Sequence, residues 1–284
     1  MNGILVINKE KGMTSFDVIR TIKKKFNIKK IGHAGTLDPL ATGVLVILLG
    51  SATKLSNYVM GEKKTYEATV VIGESYDTED STGKLIDKKN INTELQVDST
   101  LEKILDLKYQ IPPMYSALKV NGKKLYELAR KEIEVERKAR EVEIFDIKRI
   151  SEILYCENKV EFKFETTVSK GTYIRTLCVE IGKNLGYPAH MKDLNRVKSG
   201  KFKIENSYTL SDIENNKYKI LPCIEVFDKD QLFEVDDFMY KKISNGSSIE
   251  INDDRQRIVF TYNGNLIGVY KKEKGVYKAE RIWN

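Results

Sequence analysis

The segment of residues 32–50, GHAGTLDPLATGVLVILLG, constrains the fold more than any other part of this 284-residue chain. Residues 44–49 are apolar without interruption, which predicts a strand that is buried on both faces. Just before this strand, Pro39 fixes its own backbone angle φ and biases Asp38 away from the helical region. The sequence therefore predicts one carboxylate on a stiff turn at the edge of the core.

Two interpretations of Asp38 stay open from the residues alone. Asp-Pro is a common turn dipeptide, in which the Asp side chain often does no more than hydrogen-bond its own turn. A stiff loop beside a rigid core is also how a reactive group is held in place.

Charge is distributed unevenly along the chain. The formal net charge is +7, but residues 222–284 carry 10 Lys and Arg against 11 Asp and Glu, whereas residues 1–221 carry 38 against 30. Cationic surfaces favour phosphate-rich partners because binding releases condensed counterions. A generally Lys-rich surface would give the same balance, so charge alone does not decide for nucleic acid.

Several classes of protein are disfavoured by composition. Cys156, Cys178 and Cys223 are far apart and form no CxxC pair, so we expect neither a disulfide nor a zinc site. With only His33 and His190 as histidines, we expect no metal and no other cofactor. No apolar run is long enough for a membrane span, and the N-terminus lacks a secretory signal, so a cytoplasmic protein is expected.

Hydrophobic periodicity and turn residues predict an α+β fold with an irregularly interleaved mixed sheet. Phe16, Ile19, Ile22 and Phe26 recur at helical spacing behind a Thr14-Ser15 cap. Asn121-Gly122 predicts a hairpin turn. The predicted strands are residues 3–8, 44–49, 65–72 and 160–168, the predicted helices are residues 16–26 and 176–185, and residues 75–83 are predicted to form a polar loop.

A change of pattern after Leu221-Pro222 predicts two domains, residues 1–221 and residues 222–284. The second region alternates short β-type runs with Asn-Gly turns, which is typical of a small β-rich domain. Its predicted strands are residues 248–251, 257–262, 265–270 and 276–281.

The string GHAGTLDPLATGVL closely resembles the central motif of the TruB family of RNA pseudouridine synthases. NKEKGMTSFDVI resembles the family's opening motif, K-P-x-G-x-T-S, with Glu10 in place of the proline. AHMKDLNRVKSGKF resembles a segment usually written with L-R-R, with Asn195 in place of the first arginine. Further resemblances, in the family's order and within residues 3–210, are KKTYEATV, YDTEDSTGKL, IPPMYSALKVNGKKLYELAR (an RNA-gripping loop in the family) and GTYIRTL. The missing cation at residue 195 is expected to be offset by Lys192, Arg196, Lys198 and Lys201.

This resemblance implies a pseudouridine-synthase catalytic domain, a mixed β-sheet with flanking helices, followed by a PUA-like RNA-binding domain. It implies an isomerase that converts uridine 55 in the T-loop of tRNA to pseudouridine, with tRNA as the only partner, no protein partner and no cofactor. A monomer is expected.

The resemblance also assigns catalytic residues. Asp38 is expected to be the nucleophile, attacking either the ribose anomeric carbon or a ring carbon, and Arg175 is expected to pair with it. Tyr66 matches the family's active-site tyrosine and is expected to stack on the flipped base. From the residues alone, a core aromatic is the favoured interpretation of Tyr66, and Arg175 can also be a phosphate contact or a surface ion pair.

Four residues besides Tyr66 are expected to bind substrate. His33 is expected to hold the RNA loop with its base extruded, Tyr173 to contact the substrate ring, and Leu194 to line the uracil pocket. Lys119 is expected to meet phosphate or to support the Asp38 loop, and a plain surface lysine is the alternative.

Two rival functions remain at this point. One is a related synthase that modifies another uridine or depends on a guide RNA and partner proteins. The other is a non-catalytic RNA-folding factor that keeps the basic cleft. No G-x-x-x-x-G-K-[ST] string occurs, which argues against a nucleotide hydrolase of that type.

Overall fold

The computed structural model describes residues 1–120 and 122–283. The strands in these residues are β1 Gly3–Lys9, β2 Ile31–Ala34, β3 Thr42–Leu49, β4 Lys64–Ile72, β5 Glu74–Tyr76, β6 Leu85–Lys88, β7 Tyr109–Gln110, β8 Lys119–Val120, β9 Lys123–Lys124, β10 Arg140–Glu141, β11 Ile144–Arg149, β12 Leu154–Cys156, β13 Lys159–Val168, β14 Ala189–Ser199, β15 Phe202–Lys203, β16 Leu232–Glu234, β17 Arg257–Tyr262, β18 Asn265–Glu273 and β19 Val276–Ile282. The α-helices are α1 Ser15–Phe26, α2 Ser56–Gly61, α3 Val97–Ile104, α4 Leu125–Ala129, α5 Ile174–Leu185, α6 Leu210–Glu214 and α7 Asp237–Ser244.

One large mixed sheet organises the first two thirds of the chain, with strand order β1-β3-β14-β4-β13-β11 and with β2, β12 and β15 added at its sides. Residues 44–49 of β3 are fully buried, which confirms the prediction of a strand covered on both faces. β14 pairs parallel to β3 and antiparallel to β4, so it joins the two halves of the sheet.

Helix α1 begins where its capping residues predict. Thr14 and Asp17 form a reciprocal capping box, and Asn27 ends the helix in a left-handed conformation. The prediction that Phe16 belongs to the apolar face is wrong, since 63% of its surface is exposed. The buried stripe runs through Val18 and Ile22, and Phe16 lies about 120–160° around the helix from these two residues at ~100° per residue.

Two hydrophobic clusters cover the two faces of the sheet. The first lies under α1, α3 and α5 and includes Leu45, Phe162 and Leu177. The second lies on the opposite face, where Val46 packs in one cluster with Trp283 from the end of the chain. The C-terminal region also has a core of its own between α7 and its four-stranded sheet. Because Trp283 belongs to the cluster on the large sheet, the two regions also share a core, and the domain boundary at residue 222 stays a prediction.

Other differences from the predictions are local. β14 was not predicted, because two register shifts break its alternation of buried and exposed residues. Residues 248–251 form a single bridge, Ile249 to Tyr277, rather than a strand, and α7 and β16 were not predicted. The predicted polar loop at 75–83 is partly strand, because β5 extends into it. Asn121 of the predicted hairpin turn lies outside the described residues.

The α+β class with a β-rich C-terminal region is confirmed. Within the described residues, no helix has the length and hydropathy needed to cross a membrane.

Candidate active site

Asp38 lies in the connection between β2 and β3. We refer to residues 35–43, which include the first two residues of β3, as the Asp38 loop. Glycines at both ends of the loop, Gly35 and Gly43, have positive φ angles of 94° and 98°, which side chains other than glycine rarely adopt. A Cβ atom on Gly43 would collide with the backbone of Arg196. The end of the Asp38 loop therefore lies directly against β14.

Arg175, in the first turn of α5, holds the carboxylate of Asp38. Its Nη2 atom lies 3.0 Å from Asp38 Oδ2, and its own side chain is buried while 41% of the Asp38 side chain stays accessible. The predicted pairing of these two residues is thus present. The Asp38 carboxylate is neutralised by Arg175 on one side and remains accessible to a ligand on its other side.

The guanidinium of Arg175 has further fixed partners. It donates from Nη1 to Thr78 O at 3.0 Å and from Nη2 to Tyr115 O at 2.9 Å. Its Nη1 atom also lies 3.8 Å from the buried carboxylate of Asp80. Because Arg175 is held on several sides, its position does not depend on Asp38 alone.

Tyr173 precedes α5 and is anchored through its backbone. Its N–H donates to Gln110 Oε1 at 2.8 Å, and its carbonyl accepts from Gln110 Nε2 at 3.0 Å. Burial raises the pKa of the Tyr173 phenol, and the nearby charge of Asp38 acts in the same direction. Tyr173 is therefore a neighbour of Asp38 with a neutral, hydrogen-bonding ring.

Arg196 on β14 was expected to help offset the cation missing at residue 195, and the structure corrects this. Only 1% of Arg196 is exposed, and its guanidinium donates to three carbonyls: Val44 O at 2.7 Å, Gly35 O at 3.0 Å and Thr36 O at 3.4 Å. Gly35 and Thr36 are the first two residues of the Asp38 loop, and Val44 directly follows its last residue. Arg196 closes the loop and is unavailable to phosphate, so it cannot replace the cation missing at Asn195.

Two buried lysines surround the same loop and were not singled out from the sequence. Burial lowers the pKa of Lys9 to about 8, opposed by the negative charge of Asp38 and reinforced by Arg196. Burial likewise lowers the pKa of Lys64 to about 8, and Arg196 acts in the same direction. Lys9 Nζ donates to Met13 O at 2.8 Å and Lys64 Nζ to Glu62 O at 2.8 Å. In the sequence, only the family motifs that contain Lys9 and Lys64 point to these two residues.

His33 lies on β2 at the entrance to the Asp38 loop. Its Nδ1 atom is buried and has no hydrogen-bond partner among residues 1–120 and 122–283. Burial lowers the pKa of the ring, and the charge of Arg196 lowers it further. A neutral imidazole with one free nitrogen can accept or donate a hydrogen bond to a bound base.

Tyr66 and Leu194 belong to the same hydrophobic cluster as Leu37 of the Asp38 loop, and we refer to these three side chains as the apolar wall. Tyr66 is 8% exposed and Leu194 9%, so each presents a narrow surface. Both interpretations of Tyr66, core aromatic and stacking face, fit this position. Lys119 is exposed on β8, and in the described part of the chain its ammonium makes no ion pair or hydrogen bond.

Of the predicted site residues, Asp38 and Arg175 are in contact, and Tyr173 lies two residues before Arg175. His33 lies on the strand that leads into the Asp38 loop, Tyr66 and Leu194 share a hydrophobic cluster with Leu37, and Lys119 is exposed on β8. A carboxylate beside a fixed guanidinium can act as a nucleophile. The apolar wall can take a flat ring, and the neutral polar rings can bind its edge. Of the described residues, no group of three His, Cys, Asp or Glu side chains is placed to hold a metal ion.

Comparison with known proteins decides the family. Residues 23–174 match the family model described as "TruB family pseudouridylate synthase (N terminal domain)", and residues 175–223 match "tRNA pseudouridylate synthase B C-terminal domain". The chain belongs to the TruB family.

Curated TruB relatives extend the match over nearly the whole chain. The protein named tRNA pseudouridine synthase B of Oceanobacillus iheyensis is 44% identical over 95% of this chain and 93% of its own length. The protein of that name from Bacillus subtilis is 39% identical over 99% of this chain and 97% of its own. The chain is accordingly an enzyme of the pseudouridylate synthase class, as the resemblance of its motifs predicted.

A solved structure gives the same fold. The "Crystal Structure of a Cbf5-Nop10-Gar1 Complex" contains a chain that matches with a TM-score of 0.70 at 23% identity, covering 99% of this chain and 84% of that one. At this identity the likeness establishes the fold of this TruB protein and nothing more specific.

Proposed function

We propose that this protein converts uridine 55 in the T-loop of tRNA to pseudouridine, with Asp38 as the nucleophile. The observation that carries the proposal is the ion pair of 3.0 Å between an accessible Asp38 carboxylate and a buried Arg175. A carboxylate that is both neutralised and accessible is what nucleophilic attack in a closed pocket requires.

Transfer RNA as the substrate is supported by the relatives. Those cited above share 39% and 44% of their residues with this chain over nearly its whole length, and both carry the name tRNA pseudouridine synthase B. The net positive charge of residues 1–221 fits a phosphate-rich substrate.

The reaction is balanced without an oxidant or a group donor. The bond from ribose C1′ to uracil N1 breaks, and a bond from C1′ to uracil C5 forms. The proton on C5 is lost and N1 gains one, so the product is an isomer. In our proposal Asp38 attacks either C1′ or ring carbon C6. If it attacks C1′, uracil N1 leaves, and C5 then displaces the carboxylate from C1′ as the new bond forms. If it attacks C6, it is eliminated from the ring after the bond from C1′ to C5 has formed.

The uridine has to leave its stack before it can reach Asp38, which costs a few kcal/mol. An aromatic face inside the site offsets about 1–3 kcal/mol of this cost. Tyr66 is our choice for that face because it lies in the same apolar wall as Leu37 of the Asp38 loop. In this proposal Leu194 lines the uracil ring, His33 and Tyr173 bind its polar edge, and Lys119 meets phosphate.

We also propose that the enzyme acts as a monomer without a protein partner or guide RNA. Residues 222–284 then serve as a PUA-like module with a minor RNA contact, in keeping with their slightly negative charge.

The test is incubation of the purified protein alone with unmodified tRNA, followed by pseudouridine detection at each uridine. We expect pseudouridine at position 55 and at no other uridine. Modification elsewhere would overturn the proposed position, and activity only after adding a guide RNA or partner proteins would overturn the proposed autonomy.

A further inference from the structure

A strip of exposed side chains runs along α1 and beyond its end. It consists of Phe16, Arg20, Lys23, Lys24 and Lys29, and we call it the α1 strip. All five side chains are exposed. The last four, with Asn27 and Ile28, line a shallow surface depression of about 450 Å³ that no carboxylate lines.

The cations of the α1 strip are poorly neutralised by the protein. Arg20 has one distant partner, Asp17, at 3.5 Å. Lys23, Lys24 and Lys29 have no carboxylate within ion-pair distance among residues 1–120 and 122–283. Lysines in a last helical turn are favoured by the helix dipole. This effect does not account for Arg20, which lies before that turn, or for Lys29, which lies after the helix end at Phe26.

The N-terminal end of α1 is joined directly to the Asp38 loop. Ser15 Oγ donates to Leu37 O at 3.1 Å and accepts from Leu37 N at 2.9 Å. Ser15 is buried, and Leu37 is the neighbour of Asp38 in the chain. A helix of 12 residues spans about 18 Å, so the α1 strip begins beside Asp38 and extends roughly 20 Å away from it.

Phe16 occupies the end of the α1 strip that lies nearest to Asp38. Its ring is 63% exposed, and the guanidinium carbon of Arg20 lies 5.5 Å from the ring centroid. An exposed aromatic ring next to a row of cations is the pattern by which proteins hold bases and backbone of nucleic acids without reading sequence.

We propose that the α1 strip is a docking surface for the sugar-phosphate backbone of the substrate RNA. Phe16 packs against a ribose or base next to the extruded uridine, and Arg20, Lys23, Lys24 and Lys29 face successive phosphates of the adjoining stem. A duplex has one phosphate per strand for roughly every 3 Å of its axis, so the α1 strip covers about six base pairs. This inference rests on the proposed function only in that RNA is the substrate.

The decisive variant replaces Lys23, Lys24 and Lys29 together by Gln. Its matched control replaces three exposed lysines, Lys103, Lys163 and Lys274, by Gln, which changes the net charge equally; none of the three forms an ion pair with a described residue. The measurement is the Kd for unmodified tRNA between about 50 and 300 mM salt, with single-turnover pseudouridine formation at saturating tRNA.

We expect the α1 variant to bind tRNA at least about tenfold more weakly than the control triple at physiological salt. The slope of log Kd against log salt should fall by about 2 to 3, since each lost phosphate contact removes about 0.9. The rate at saturation should stay within twofold of the wild-type rate. Equal affinity and equal salt slope in the two triple variants would overturn the inference.

A second pair of variants tests the aromatic end of the strip. Phe16→Ala should weaken tRNA binding several-fold, and Phe16→Tyr should bind as the wild type does. Because Phe16 is exposed, neither change should lower the unfolding temperature. Identical tRNA affinity of the Ala and Tyr variants would show that Phe16 is not part of the docking surface.

These outcomes are separable from failure of the proposed function. If the wild type makes pseudouridine at position 55 while the two triple variants bind alike, only the docking surface is wrong. If the wild type makes none, the function is wrong, and the difference in tRNA affinity still decides about the α1 strip.

Discussion

The Asp38 loop and the segment of residues 111–140, which we call the insert, meet at Arg175 and are held in opposite ways. Arg175 Nη2 lies 3.0 Å from Asp38 Oδ2 on one side and 2.9 Å from Tyr115 O of the insert on the other. The Asp38 loop is fixed at both ends by buried donors from Arg196.

Little of the insert is buried. In its described residues the only buried side chains are Pro112, Pro113, Ser116 and Leu125. Its secondary structure amounts to the short strands β8, β9 and β10 and helix α4. Segments with few buried apolar contacts open locally at low free-energy cost.

The contrast indicates that the Asp38 loop and the insert have different roles. The Asp38 carboxylate is held by a rigid framework with several fixed contacts, which is the geometry that the proposed nucleophile needs. The insert, which the motif resemblance assigns to RNA gripping, has the loose attachment that binding and release of a large substrate need. The predictions below test this contrast, beginning with the residue that joins the two regions.

Among the variants that keep Asp38, Arg175→Lys should have the largest effect. One ammonium group cannot bridge Asp38, Thr78 and Tyr115 as the planar guanidinium does. We expect the single-turnover rate to fall on the order of 100-fold, equivalent to about 2.7 kcal/mol, and hydrogen exchange near Tyr115 to accelerate. A normal rate with faster exchange would show that Arg175 serves the insert and not Asp38.

Arg196→Gln should lower the stability of the protein, because Arg196 holds the Asp38 loop. The substitution leaves the carbonyls of Val44, Gly35 and Thr36 without their buried donor, at about 1–3 kcal/mol for each unsatisfied group. We expect a loss of at least about 3 kcal/mol in the free energy of unfolding by urea. Arg196→Lys should recover part of it. A loss below about 1 kcal/mol would mean that the Asp38 loop is held by other contacts.

The buried Lys9 should make the free energy of unfolding depend on pH in a characteristic way. Its pKa is about 8 in the folded protein and 10.5 when unfolded, so between these values the unfolded state binds more protons. Stability from this group therefore rises with pH across that window, by up to about 1.4 kcal/mol per pH unit.

The measurement is the difference in unfolding free energy between the wild type and Lys9→Met from pH 7 to pH 10.5. The difference should be constant below pH 8 and shift in favour of the wild type above it. The same comparison with Lys163→Met, at an exposed position, should be flat. A flat profile for Lys9→Met would contradict the burial of a charged amine beside Asp38.

Lys119→Gln, in the insert, should have the smallest effect. The side chain is exposed, so unfolding should not change. We expect Kd for tRNA to rise two- to fourfold with the rate at saturation unchanged, as for a single phosphate contact. A reduced rate at unchanged Kd would assign Lys119 to support of the Asp38 loop instead.

The parts of the site that could be predicted from sequence are those with local signals. Pro39, the flanking glycines and the apolar run of β3 define the Asp38 loop within 15 residues. The capping box of α1 is equally local. The family motifs added Arg175, which lies 137 positions from Asp38 along the chain but 3.0 Å from it in space.

The parts that could not be predicted depend on distant backbone atoms. Arg196 is buried only because carbonyls 152 and 161 residues earlier accept from it. Nothing in the sequence around Arg196 distinguishes it from a surface arginine. The pairing of Gln110 with the backbone of Tyr173 is hidden in the same way. The bulges of β14 concealed the strand that brings these parts together.

The role of Asp38 is tested most directly by single-turnover pseudouridine formation with Asp38→Asn, measured together with tRNA affinity. The control is Asp98→Asn, which breaks another carboxylate–arginine pair, with Arg149, on the surface. The account predicts no detectable product with Asp38→Asn, tRNA affinity within about threefold of the wild type, and normal activity with Asp98→Asn. Pseudouridine at position 55 formed by Asp38→Asn at a rate comparable to the wild type would contradict it.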